Sequence, residues 1–191
     1  MTTFGIIRHG ETDWNREKRA QGITDVPLNE EGFAQARKLA VRLSEEKWDM
    51  IYTSDLVRAK ATAELIAEAL GIEVRVDVRL REKTHGRLDG TTVEERIERW
   101  GEGWRELDHE EESRESIVAR SMALLDELTE RYPDKRILLV SHGAWIVATL
   151  ETLLNPEELV FIGNTSICVL EHQKGVWTSS LIGCTKHLDE K

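Results

Sequence analysis

The sequence predicts an α/β fold, a three-layer α/β/α sandwich built on a mostly parallel sheet. Short apolar runs alternate with longer segments of helical period, as strand-loop-helix units require. Two of those runs, the TFGII of residues 3–7 and the ILLV within RILLVS at 136–141, are apolar at successive positions, which suits strands covered on both faces. With 191 residues and no internal repeat, the chain has the size of one domain, expected over 1–191.

After strand 3–7 and a polar loop, Phe33, Ala36, Leu39, Ala40 and Leu43 fall on one face of a helix over 30–46, with Asn29 or Glu30 at its start. DMIYT at 49–53 reads as a strand. Ser54 or Asp55 then caps a helix over about 55–70 that ends at Gly71. EVRVDVRL at 73–80 alternates Val74, Val76, Val78 and Leu80 with polar residues, the pattern of a half-buried or edge strand. A loop over 81–92 leads to a short helix over 93–107, where core packing is expected for at least one of Trp100 and Trp104. The acidic run DHEEES at 108–113 is expected to be a solvated link. Ser113 or Ser116 caps a long helix to Arg131, ended by Tyr-Pro-Asp. Strand 136–141 is followed by the helical GAWIVATLETLL, and strands near 165–171 and 176–182 form a hairpin turned at Lys174-Gly175.

Thirty-six acidic against 26 basic residues give a formal charge of −10, which argues against a broad cationic face for nucleic acid or anionic lipid. Apolar segments are interrupted well short of the ~20 residues a bilayer span needs, and MTTFGII lacks the basic and long apolar regions of a signal peptide. Two cysteines, Cys168 and Cys184, supply neither a disulfide framework nor metal-ligand spacing. The expectation is a cytoplasmic protein without cofactor or metal, without nucleic-acid or membrane partners, and either monomeric or homodimeric.

His9 follows the first strand and His142 follows strand 136–141, each with a glycine directly after it. Residues just past the carboxyl ends of parallel strands line one rim, where open α/β sheets bind ligands. Arg8 stands where a buried strand offers another apolar residue, so its guanidinium needs an anion, either a protein carboxylate or a ligand. Arg58, in the first turns of the helix after TSD, can reach the same rim and pair with Arg8 on phosphate oxygens. Asn15 and the backbone and side chains of Gln21, Gly22 and Thr24 are candidate uncharged donors. Glu82 in LREKTHG is a candidate acid and base, with Glu11, Asp13 and Asp89 as competitors and His85 nearby. One nucleophile, several cations and one proton donor form a set suited to metal-free phosphoryl transfer.

Taken together, IIRHGETDWN, PLNEEGFAQA, YTSDLVRAKATAELI, LREKTHG and VSHG resemble the histidine phosphatase superfamily, the phosphoglycerate mutase-like fold, over nearly the whole chain and in the same order. The resemblance implies that His9 is the nucleophile, that Arg8, Arg58 and His142 form the phosphate pocket, and that Glu82 is the general acid and base. Asn15 matches a further phosphate contact and Thr24 a less specific one. The implied substrate is a small phosphorylated metabolite. Mutase-type members carry a longer insertion after the glutamate, whereas here a short covering region, 83–113, separates Glu82 from the next helix. They also show Glu-Arg-His-Tyr-Gly where this chain has Glu82-Lys83-Thr84-His85-Gly86. Both departures favour a phosphatase, with a 2,3-bisphosphoglycerate-dependent mutase and a non-catalytic phospholigand-binding protein as alternatives.

Overall fold

A computed structural model describes residues 1–155 and 161–189. Six strands, β1 (Thr2–Arg8), β2 (Met50–Thr53), β3 (Val74–Val76), β4 (Arg136–Ser141), β5 (Ile167–Gln173) and β6 (Val176–Cys184), form one sheet in the order β3-β2-β4-β1-β5-β6. The first four are parallel to their neighbours, and the β5–β6 hairpin is added antiparallel to β1. The helices are α1 (Asp13–Arg16), α2 (Glu30–Ser44), α3 (Val57–Leu70), α4 (Val93–Trp100), α5 (Arg114–Arg131), α6 (Gly143–Leu154) and α7 (Lys186–Asp189).

Alternation of side chains along each strand splits the core in two. Phe4, Ile6, Ile137 and Leu139 pack with Leu124, Leu125 and Trp145 of α5 and α6. Ile7, Leu138 and Val140 pack with Leu39, Leu43, Ala63 and Ile66 of α2 and α3. The two continuously apolar strands lie side by side in the middle of the sheet and contribute to both cores, as their sequence requires. Their register pairs Arg8 with Ser141, so His9 and His142 leave the sheet at the same height.

Four expectations need correction. The alternating strand over 73–80 stops at Val76, because Asp77 accepts from the Arg79 amide at 2.9 Å and starts a 3-10 turn over Val78–Leu80. That turn drives Leu80 fully into the core while Val76 and Val78 stay exposed. The helix over 93–107 ends at Trp100, where Gly101 at φ 78° breaks it before a separate 3-10 turn, Glu102–Glu106; Trp104 is buried within it. Helix α3 begins at Val57 with Leu56 at its cap. Ser54 and Asp55 are used elsewhere, and the Val57 amide donates instead to Asp25 of the first loop at 2.7 Å. The run 108–113 is not a freely solvated link, since His109 is buried and Glu112 grips Arg120 through both oxygens at 2.9 Å. Other features fall where expected, including Asn29 and Ser113 as helix caps, Gly71 at φ 66° ending α3, and the turn at Lys174-Gly175 with both φ angles positive. No helix of the described residues is long and apolar enough to cross a membrane.

Candidate active site

The rings of His9 and His142 stand 5.1 Å apart, centroid to centroid, at the carboxyl edge of the sheet, and both side chains are buried. His9 Nδ1 lies 2.7 Å from the Gly10 carbonyl oxygen. A carbonyl only accepts, so Nδ1 carries the proton and Nε2 holds the free lone pair. Burial and the charges of Arg58 and Arg8 hold His9 well below the usual imidazole range, so at neutral pH it is an uncharged nucleophile. Gly10 fixes the loop by close approach: a Cβ there would lie 2.6 Å from the Gly32 carbonyl oxygen at the start of α2. Its amide donates to Thr62 Oγ1 at 3.0 Å.

Arg58 is completely buried. Its two terminal nitrogens donate to the carbonyls of Thr24 at 2.8 Å and Gly22 at 2.7 Å, and burial lowers its pKa to about 10, still cationic at neutral pH. Arg8 donates to the Ile162 carbonyl at 2.7 Å, while burial pulls its pKa down and the Glu82 carboxylate opposes that shift. Each guanidinium thus has one side anchored on backbone, and the Nε of each is buried with no hydrogen-bond partner. His142 repeats the pattern: Nε2 meets Ser54 Oγ at 2.9 Å, and Nδ1 is buried without a partner. Burial and Arg58 keep this second imidazole well below its ordinary range too. Buried polar atoms without partners are rare in folded proteins, and here three belong to residues meeting around His9.

Glu82 closes the arrangement. Its carboxylate sits at the amino terminus of α6, accepting from the amides of Ala144 at 3.2 Å and Trp145 at 3.3 Å, and from Lys83 at 2.9 Å. His142, the N-cap residue of α6, gives no side-chain cap, so Glu82 fulfils that role from a distance. An ideal Cβ on Gly143 would lie 3.7 Å from Arg8 Nε and 3.8 Å from Glu82 Oε2, which places the carboxylate on the same rim as Arg8. The segment after the 3-10 turn that carries Glu82 is held by Ser141 on the Leu80 carbonyl at 2.7 Å, and by Arg120 on the carbonyls of Arg79 at 2.8 Å and Arg81 at 2.6 Å. Of the competing carboxylates, Glu11 accepts from Asn29 and pairs with Arg16. Asp13 accepts from Asn29, and Asp89 accepts from the His85 amide.

The first loop is tied to Arg58 and to itself by its own contacts. Gly22 and Thr24 turn carbonyls toward Arg58 and so hold the guanidinium from behind. Gln21 is buried and accepts from Thr12 at 2.9 Å. Asn15 accepts from the Thr12 amide at 3.1 Å in a capping box for α1. Sequence reading missed Ser54, Thr62, Arg120 and the 162–165 segment, whose contacts to the site join positions distant along the chain. Ser54 and Thr62 both lay inside a quoted motif, Ser54 read there as a helix cap.

The family model of the histidine phosphatase superfamily (branch 1) matches residues 4–185. The chain is 35% identical to the uncharacterized phosphatase PhoE of Bacillus subtilis, covering 98% of this chain and 97% of that one. It is also 35% identical to a probable phosphoglycerate mutase GpmB of Escherichia coli, covering 99% and 96%. Among solved structures, a mycobacterial glucosyl-3-phosphoglycerate phosphatase complexed with VO3 superposes with a TM-score of 0.84 at 33% identity, covering 94% of this chain and 97% of that chain. Bacillus stearothermophilus YhfR superposes at 0.89 with 28% identity, covering 98% and 100%.

Proposed function

Because the chain belongs to the histidine phosphatase superfamily (branch 1), we propose that it hydrolyses small phosphomonoesters through a phosphohistidine formed on His9. The observation that carries this reading is the trio of unpartnered buried nitrogens, Arg8 Nε, Arg58 Nε and His142 Nδ1, beside an uncharged imidazole whose Nε2 is free. A phosphoryl group seated beside His9 Nε2 has its charge balanced by the nearby guanidiniums of Arg58 and Arg8, with the His142 ring 5.1 Å from that of His9.

In the first step His9 Nε2 bonds to phosphorus as the ester P–O bond breaks, and Glu82, entering protonated, gives its proton to the departing alkoxide. The proton on Nδ1 stays with the Gly10 carbonyl, so the phosphorylated ring is cationic and its charge faces a hydrogen-bond acceptor. In the second step Glu82, now a carboxylate, takes a proton from water as water oxygen bonds to phosphorus and the N–P bond breaks. This returns neutral His9 and protonated Glu82. Arg8 and Arg58 hold phosphoryl oxygens through both steps, and their fixed backbone anchors mean little reorganisation accompanies the movement of charge.

Water is favoured over a second phosphorylated acid as acceptor because three cations of 83–113, Lys83, Arg87 and Arg96, are already engaged. Lys83 pairs with Glu111 and Arg87 with Glu110, while Arg96 donates to Thr91 and lies 4.9 Å over the Trp104 ring. The experiment is turnover of p-nitrophenyl phosphate and of alkyl phosphates by wild type, His9→Ala and Glu82→Gln. His9→Ala is expected to form no phosphoenzyme. Glu82→Gln is expected to lose far more activity on alkyl esters than on the nitrophenyl ester, whose leaving group needs little protonation. Wild-type single-turnover rates in H9A would overturn the nucleophile, and equal losses on both esters would overturn the acid.

A further inference from the structure

We infer that Asn164, which lies outside every motif quoted above, is a positioning residue that aims the Asn15 carboxamide at the phosphoryl group; the inference rests on the phosphatase reading of the His9 site. Asn164 Nδ2 is 3.0 Å from the His9 carbonyl oxygen and 3.2 Å from Asn15 Oδ1. Which end of an amide side chain is nitrogen is normally decided by its neighbours, and here the neighbours cannot reverse. The His9 carbonyl only accepts, so the Asn164 atom facing it is the NH2 group. The Thr12 backbone amide only donates, at 3.1 Å, so the Asn15 atom facing it is the oxygen. Both Asn164 protons are therefore spent, one on His9 and one on Asn15.

The consequence falls on Asn15. Its oxygen accepts from the Thr12 amide and from Asn164, with the Thr12 hydroxyl 3.2 Å away as a further donor that also faces Gln21 Oε1 at 2.9 Å, so its acceptor capacity is used within the protein. Its Nδ2 has no acceptor among the described residues, and it is not among the buried unpartnered atoms. Asn15 thus offers two amide protons at the mouth of the site, from a side chain that cannot flip without putting NH2 against the Thr12 amide and the Asn164 NH2 group. The His9 carbonyl anchors Asn164 itself, so donor and nucleophile share one reference point. Neighbouring Thr165 strengthens that anchor. It is fully buried, it holds φ 54°, an outlier for a β-branched residue, and its amide donates to the carbonyls of Arg8 at 3.0 Å and His9 at 3.3 Å.

The test is a double-mutant cycle of Asn164→Ala and Asn15→Ala, read as single-turnover phosphoenzyme formation and as vanadate affinity, with thermal melts on every variant. Misplacement of a reacting group by about 1 Å costs about 100-fold in rate, and losing one of several oriented donors is expected to cost about 10- to 100-fold in N164A. On the N15A background the same substitution is expected to change the rate less than about threefold, because its target is gone. Equal fold losses in both backgrounds, or an unchanged rate in N164A, would overturn the inference. If N164A does not fold, Asn164→Ser carries the same cycle. Failure of the phosphatase reading shows separately, as absence of phosphoenzyme in wild type, and the vanadate arm still reports whether Asn164 acts through Asn15.

Discussion

Arg58 shows how a single residue is committed to its task. A side chain of that size and charge is tolerated in full burial only when its donors are met, and the structure meets two through the carbonyls of Thr24 and Gly22. Lysine keeps the charge but has no fork that can face two carbonyls and an anion together. Arg58→Lys is expected to lower kcat/KM by about 100-fold, close to 2.7 kcal/mol of transition-state stabilisation, with a far-ultraviolet circular dichroism spectrum like wild type. A loss under threefold would remove Arg58 from the phosphate site. At this scale the sequence was informative where a residue type broke the local pattern: Arg8 at the end of an apolar strand, Arg58 on a helix, and histidine before glycine twice. It was silent on Asn164 and Thr165, because an asparagine or a threonine in a loop violates nothing.

Among the elements, the segment 79–82 after β3 is held by side chains from outside it. The sequence carries its alternation through Leu80, and a local pattern cannot reveal that Asp77 will cap a turn and end the strand at Val76. Once the strand ends, the free carbonyls of Arg79 and Arg81 need donors, and Arg120 of α5 supplies them with Glu112 holding the guanidinium in place. Arg120→Met is expected to leave phosphate affinity within about threefold while slowing turnover of alkyl esters more than that of nitrophenyl esters, since Glu82 is then misplaced. The same loss on both esters would show a general effect instead. Helix α3 gives a second case. With its cap supplied by Asp25, Asp25→Ala is expected to cost about 1 kcal/mol in urea unfolding, and no loss of stability would contradict that cap.

Across the whole molecule, the regular alternation of strands and helices made the layered fold and the double-sided burial of β1 and β4 legible, because burial on both faces leaves its mark at every residue, and the hairpin turn at Lys174-Gly175 was legible too. Strand order and the antiparallel docking of that hairpin on β1 arise from contacts between distant segments and leave no such mark. Burial of neutral histidines also sets the pH response of the fold. His9 and His142 lie well below the ordinary 6.5, and His187, buried beside Arg42, is pushed down to about 4. The unfolded chain binds protons at these sites near pH 6.5 and the native protein does not, so stability is fully present above that pH and falls as pH drops toward 4. Urea midpoints at pH 7, 6 and 5 are expected to fall in that order, and His187→Gln to flatten the decline. Equal midpoints would show that these rings titrate alike in both states.

The account turns on one imidazole nitrogen. Rapid acid-free quenching of wild type with excess substrate, followed by phosphorus NMR of the trapped enzyme, identifies which ring atom carries the phosphoryl group. With Nδ1 held by the Gly10 carbonyl, phosphorylation is expected at Nε2 of His9, and a phosphoryl group on Nδ1, on another residue, or on none during turnover would contradict it.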